Sequence, residues 1–146
     1  MPDDPQLGAE FALSIFKVSG QMLAAGEQLA CPAGLTVAWW QVLGAVVQRP
    51  LNAAGIAREM GITRQAVQRV ANRLIDDGLL EASPNPAHKR SPLLSPTPAG
   101  RAAVRQIAPQ QADFATRLVD AFGHKRFQRL VDDLAAVSQV LDDVQP

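Results

Sequence analysis

The sequence predicts a mainly α-helical protein with a single small β-hairpin. Three patterns carry that expectation. Apolar residues recur at helical spacing over most of the 146 residues. Ser/Thr/Asn-type caps stand before the helical stretches, at Thr36, Asn52, Thr63 and Thr97. The interval 84–96 carries four prolines and reads as extended chain.

From the N-terminus, residues 7–30 place Phe11, Ile15, Val18, Met22, Ala25 and Leu29 in a heptad-like stripe, which predicts one long helix stopped by Pro32 and Gly34. Thr36 caps a second helix over about 37–48, ended before Pro50. Asn52 caps a short third helix, with Leu51 and Ile56 at the positions of a hydrophobic staple and Gly61 closing it in the left-handed conformation. Thr63 caps a fourth helix, 64–77, that buries Val67, Val70, Ala71 and Leu74 and ends at Gly78. Residues 79–83 and 93–95 form the two strands of the hairpin, with a basic, proline-containing tip between them. Helix resumes after Thr97 and reaches about Phe122, with a kink expected at Pro109. Gly123 separates a last helix, 124–144, striped with Phe127, Leu130, Leu134, Val137, Leu141 and Val144.

Length and composition fit a single folded domain, since 47% of residues are apolar and 19% charged. No apolar run is long enough to cross a membrane, and the acidic Met1-Pro2-Asp3-Asp4 start is unlike a signal peptide. The lone Cys31 has no disulfide partner. A cytoplasmic location is the expectation. The overall charge is zero, but it is unevenly placed. Residues 49–105 hold nine basic side chains against four acidic ones, between two acidic ends. A basic centre is suited to a polyanion.

The third and fourth helices, joined through Met60-Gly61-Ile62-Thr63, make a helix-turn-helix. The outer face of the fourth helix carries Arg64, Gln65, Gln68, Arg69, Asn72 and Arg73. Arginine bonds guanine O6 and N7 bidentately, and glutamine or asparagine bonds adenine N6 and N7. A helix entering the major groove N-terminus first sets its first turn on base edges. That assigns base contacts to Arg64 and Gln65, next to the capping Thr63 on the DNA-binding surface, with Gln68 and Arg69 one turn on and Arg73 near phosphate. The hairpin tip adds Lys89 and Arg90, the latter placed for the minor groove, where narrow A·T-rich stretches attract arginine. The whole reads as a winged helix-turn-helix on double-stranded DNA.

Several segments resemble the MarR family of regulators. Leu35-Thr36-Val37-Ala38-Trp39-Trp40-Gln41-Val42-Leu43 is similar to its second-helix motif, and 56–67 to its helix-turn-helix. Gly78-Leu79-Leu80-Glu81, Asn85-Pro86 and Thr97-Pro98-Ala99-Gly100 resemble the borders of its wing. The resemblance spans nearly the whole chain. It implies a homodimeric transcriptional repressor on a pseudo-palindromic operator, released in many members by a small aromatic or phenolic ligand. It divides the chain into an N-terminal dimerisation helix (1–34), a winged module (35–100) and C-terminal dimerisation helices (101–146). The chain departs from the family at the wing. His88 stands where an aspartate supports the wing arginine, and Pro92 and Pro96 each remove a donor from the returning strand, so a short and poorly ordered wing is expected. Gly55 stands where an acidic capping residue is usual.

Trp39 and Trp40 point about 100° apart on a helix. They fit a ligand wall between dimer helix and winged module, faced by Phe11, Ile15 and Met22, or else a purely structural role. His88 and His124 are isolated, so no metal centre is expected. The pairs Asp132-Asp133 and Asp142-Asp143 fit a solvated helix face. No nucleophile–base set, phosphate loop or glycine fingerprint is present, so neither an enzyme nor a cofactor is expected. Two other readings stand beside DNA regulation: a winged helix used only for protein contacts, and a thiol sensor acting through Cys31.

Overall fold

The computed structural model describes residues 4–144 and Pro146. The acidic start through Asp3, and Gln145 within the last expected segment, lie outside the described residues. The order is α1 (Asp4–Ala30), a 3-10 turn (Cys31–Ala33), α2 (Val37–Val46), α3 (Ala53–Met60), α4 (Arg64–Asp76), β1 (Leu80–Ser83), β2 (Leu93–Pro96), α5 (Pro98–Phe122) and α6 (His124–Asp143). The chain divides into two compact units, 1–108 and 109–146. The boundary falls at Pro109. Helix α5 is continuous through that proline, although proline has no N–H to offer the carbonyl one turn back.

The first unit has one core. Val42, Leu43 and Val46 of α2, Ile56 and Ala57 of α3, and Val67, Ala71 and Leu74 of α4 are buried together with Leu80, Leu94 and Ile107. Val70, expected in that stripe, is half-buried at its edge. The caps form as the residue types dictate. Oγ1 of Thr36 accepts from Trp39 N at 3.1 Å, Oδ1 of Asn52 from Gly55 N at 2.8 Å, and Oγ1 of Thr63 from Ala66 N at 3.1 Å. Gly34, Gly61 and Gly78 close their turns at φ of +75°, +66° and +74°. At Gly55 a Cβ would come within 3.2 Å of Asn52 Oδ1, the oxygen that caps this helix.

Helix α1 meets α2 at Gly26, where a methyl group would overlap Val37 and touch the Trp40 ring. Glu27 Oε1 accepts from Val37 N at 3.0 Å and so caps α2 from the neighbouring helix. Elsewhere α1 is apolar on more than one side. Phe11 and Met22 of the expected stripe are 41% and 49% exposed, but Leu13 and Phe16, off that stripe, reach 70% and 72%.

In the second unit the end of α5 and α6 pack at an aromatic corner. Phe122 and Phe127 meet edge to face at 5.9 Å, and the Arg126 guanidinium lies 4.3 Å over the Phe122 ring. Leu130 and Leu134 of the α6 stripe are exposed. Among the described residues no single helix is long and apolar enough to cross a membrane.

Candidate nucleic-acid interface

Helix α4 presents Arg64, Gln65, Gln68, Arg69, Asn72 and Arg73 to solvent while its opposite side enters the core. The polar face is therefore free because packing fixes the other one. Thr63, as N-cap, spends its hydroxyl lone pair on Ala66 N, which orients the first turn. Gln68 Nε2 donates to Asn72 Oδ1 at 2.8 Å, pinning two amides side by side on the face. Arg73 lies 4.0 Å from Asp77 with both side chains exposed, a weak pair that costs little to exchange for a phosphate.

The wing is a two-stranded antiparallel sheet with Leu80 opposite Pro96 and Ser83 opposite Leu93. A third segment joins it: Leu94 N donates to Leu51 O at 2.8 Å, and Leu51 N to Leu94 O at 3.3 Å. Backbone groups of successive strand residues face opposite edges. Position 96 therefore shares the edge of Leu94, away from β1. Thr97, of the other parity, donates its N–H to Leu79 O at 3.1 Å. The proline at 96 removes a donor that never belonged to the β1–β2 ladder, and Pro92 precedes the strand. The expectation that both weaken the hairpin is corrected on this ground.

The tip is also closed by hydrogen bonds. Asn85 Nδ2 donates to Ser91 O at 2.9 Å, and Asn85 Oδ1 accepts from Ala87 N at 3.0 Å. His88 N donates to Asn85 O, and Ser91 N to His88 O, each at 3.2 Å. The tip is thus a loop closed by its own hydrogen bonds. At its base Thr97 Oγ1 donates to Gly78 O at 2.6 Å and accepts from Gly100 N at 3.1 Å, joining the end of α4, the wing and α5.

Arg64, Gln68, Asn72 and Ile75 of α4 and Ala82, Arg90, Ser91, Pro92 and Leu94 of the wing border one groove of about 190 Å³. Arg90 is thus brought beside the α4 face, and no acidic residue lines the groove. Lys89 is exposed on the loop. Arg101, counted among the basic centre, instead donates to Val47 O at 3.0 Å and caps the end of α2. Asn72 and Thr97 were expected on the polar face and as a cap, and Asn85 as part of a wing border, but the bond of Asn85 across the loop to Ser91 was not foreseen. Asn85-Pro86 was the available signal, because asparagine before proline starts turns.

The expected ligand wall is only partly assembled within one chain. Trp39 and Trp40 are half-buried against the core. Phe11 and Ile15 lie 15 and 11 residues before Gly26, about 22 and 16 Å along α1 at 1.5 Å per residue. Within one chain they do not reach the Trp40 ring, whereas Met22 is one turn away. Cys31 is exposed in the 3-10 turn.

A capped helix-turn-helix whose second helix exposes arginine and amide side chains, followed by a hairpin carrying a further arginine, defines a winged helix-turn-helix protein. The sequence profile of the MarR family matches residues 33–91. An uncharacterized protein of Mycobacterium bovis is 37% identical over 138 residues, covering 94% of this chain and 96% of its own length. The chain belongs to the MarR family of transcription regulators. Among solved structures, it is similar to the Mycobacterium tuberculosis transcriptional regulator MosR in complex with DNA, at 20% identity and a TM-score of 0.77, covering 90% of this chain and 96% of that one. It is likewise similar to CouR from Rhodococcus jostii RHA1 bound to p-coumaroyl-CoA, at 21% identity and 0.78, covering 90% and 93%.

Proposed function

We propose that this protein is a homodimeric repressor that binds a pseudo-palindromic operator through α4 and the wing. The observation that carries the reading is the groove where Arg64, Gln68 and Asn72 meet Arg90 with no acid among its lining residues. Arg64 and Gln65 read bases, Gln68 and Arg69 support them one turn on, and Arg73 and Lys89 hold phosphate. Arg90 reaches the adjoining minor groove. The DNA complex of MosR, of like fold, supports this use of the module. The basic face of α4 disfavours a purely protein-binding winged helix.

Dimerisation is supported by α1. A helix apolar on several sides calls for neighbours on several sides, and Leu13 and Phe16 stay largely exposed in the single chain. A twofold axis sets two copies of α4 about 34 Å apart, one turn of DNA. In the same reading a small aromatic ligand, as the p-coumaroyl-CoA bound to CouR suggests, lodges by Trp39, Trp40 and Met22, with Phe11 and Ile15 supplied by the second copy.

The test is a mobility shift on duplexes enriched by the protein from a random-sequence library. Selection of an inverted repeat, with affinity falling steeply and linearly on a log–log salt plot, is the expected result. Failure to enrich any sequence overturns the reading. Titrating aromatic acids while following tryptophan fluorescence and DNA binding together tests the ligand, and a broad panel that moves neither signal removes it.

A further inference from the structure

The wing loop holds its arginine without any carboxylate. Between Pro84 and Pro92 the ionisable side chains are His88, Lys89 and Arg90. What closes the loop is Asn85, half-buried, whose side chain bonds both forward and across. Its Oδ1 accepts from Ala87 N at 3.0 Å, and its Nδ2 donates to the carbonyl of Ser91, the residue after Arg90, at 2.9 Å. Its own carbonyl accepts from His88 N. The loop is thereby cinched on both sides of Arg90, and Arg90 and Ser91 border the groove along α4.

We propose that Asn85 is the positioning residue of the wing: its amide holds the Arg90 backbone at the mouth of the α4 groove. An amide suits this task where an acid does not. One planar group must donate and accept at once, and an ionised carboxylate only accepts. A neutral latch also leaves the Arg90 charge unneutralised for the phosphates or the negative minor groove. This inference rests on the DNA-binding reading above, and its test separates the two.

The experiment compares wild type, Asn85→Ala, Asn85→Asp, Arg90→Ala and the Asn85→Ala/Arg90→Ala double variant on one duplex enriched by the wild-type protein. Asn85→Ala should weaken binding about tenfold, as loss of one well-placed arginine does. Its salt slope should fall towards that of Arg90→Ala, by about one unit per phosphate released. In the Arg90→Ala background the same change should have no further effect, because Asn85 acts only through Arg90. Asn85→Asp keeps the acceptor for Ala87 but loses the donor to Ser91, and should behave like Asn85→Ala rather than rescue it. Amide hydrogen exchange without DNA gives an independent readout: Asn85→Ala should speed exchange at Ala87, His88 and Ser91 at least about tenfold with the α4 amides unchanged. Additive losses in the double variant, an unchanged salt slope, or unchanged exchange in the loop would each overturn the proposal. Wild-type protein that binds no duplex overturns the DNA reading itself, whereas wild-type binding with an indifferent Asn85→Ala overturns only the latch.

Discussion

Arg64 and Arg73 stand at opposite ends of α4 and should fail differently. Arg64→Ala is expected to cost about 1–3 kcal/mol per half-site and to relax the selected sequence, because a base-edge contact is lost. Arg73→Ala should weaken all sequences alike and lower the salt slope by about one unit, because only a phosphate contact is lost. Binding curves on the enriched duplex and on a scrambled one, each at several salt concentrations, check both. Two glycines make a similar contrast in stability. Gly44 has nothing within 4 Å of where a Cβ would sit, so Gly44→Ala should stabilise α2 by up to about 1 kcal/mol. Gly100 is buried with the Leu79 carbonyl in that place, so Gly100→Ala should cost about 1–3 kcal/mol or more by forcing backbone apart. Urea unfolding of the two variants should move in opposite directions.

At the scale of elements, α3, α4 and the turn between them were legible because each boundary rests on one local rule. Asn52 and Thr63 cap, and Gly61 adopts φ +66°. Asn52→Ala and Thr63→Ala should each lower stability by about 1 kcal/mol, measured by urea unfolding, since each orphans a backbone N–H. The wing was legible as a hairpin but not in its detail. The cost of a strand proline depends on which edge its nitrogen faces, and that edge is set by the bridge between Leu51 and Leu94, two residues far apart in sequence. The loop closure by Asn85 is read across to Ser91, again not from a run of neighbours. For the ligand wall, heptad spacing says which face Phe11 and Ile15 occupy, but not which part of the helix α2 will cross. That crossing is fixed by Gly26, where close approach is allowed.

For the whole molecule, the heptad reading of α1 saw one stripe where the structure leaves several faces bare. In the homodimer proposed above, those faces are covered by a second chain, which a single sequence does not display. Sedimentation at micromolar concentration should give a dimer, and Phe16→Glu should shift it to monomer, since the charge would sit where the apolar face needs cover. A wild-type monomer at that concentration would remove the twofold arrangement of α4.

Thr97 has a mechanical consequence. It fastens the end of α4, the returning strand and the first turn of α5 through bonds to Gly78, Leu79 and Gly100. Arg101 adds a strap to the end of α2, and Leu51 a stitch to β2. Reading head and wing are therefore joined as one piece, like two teeth on one cog, and in the repressor proposed above release of DNA would turn two cogs against each other rather than fold a tooth away. Spin labels at Gln65→Cys and Lys89→Cys, in a Cys31→Ser background, should keep one distance within a copy with and without DNA. The distance between the Gln65→Cys labels of two copies should change.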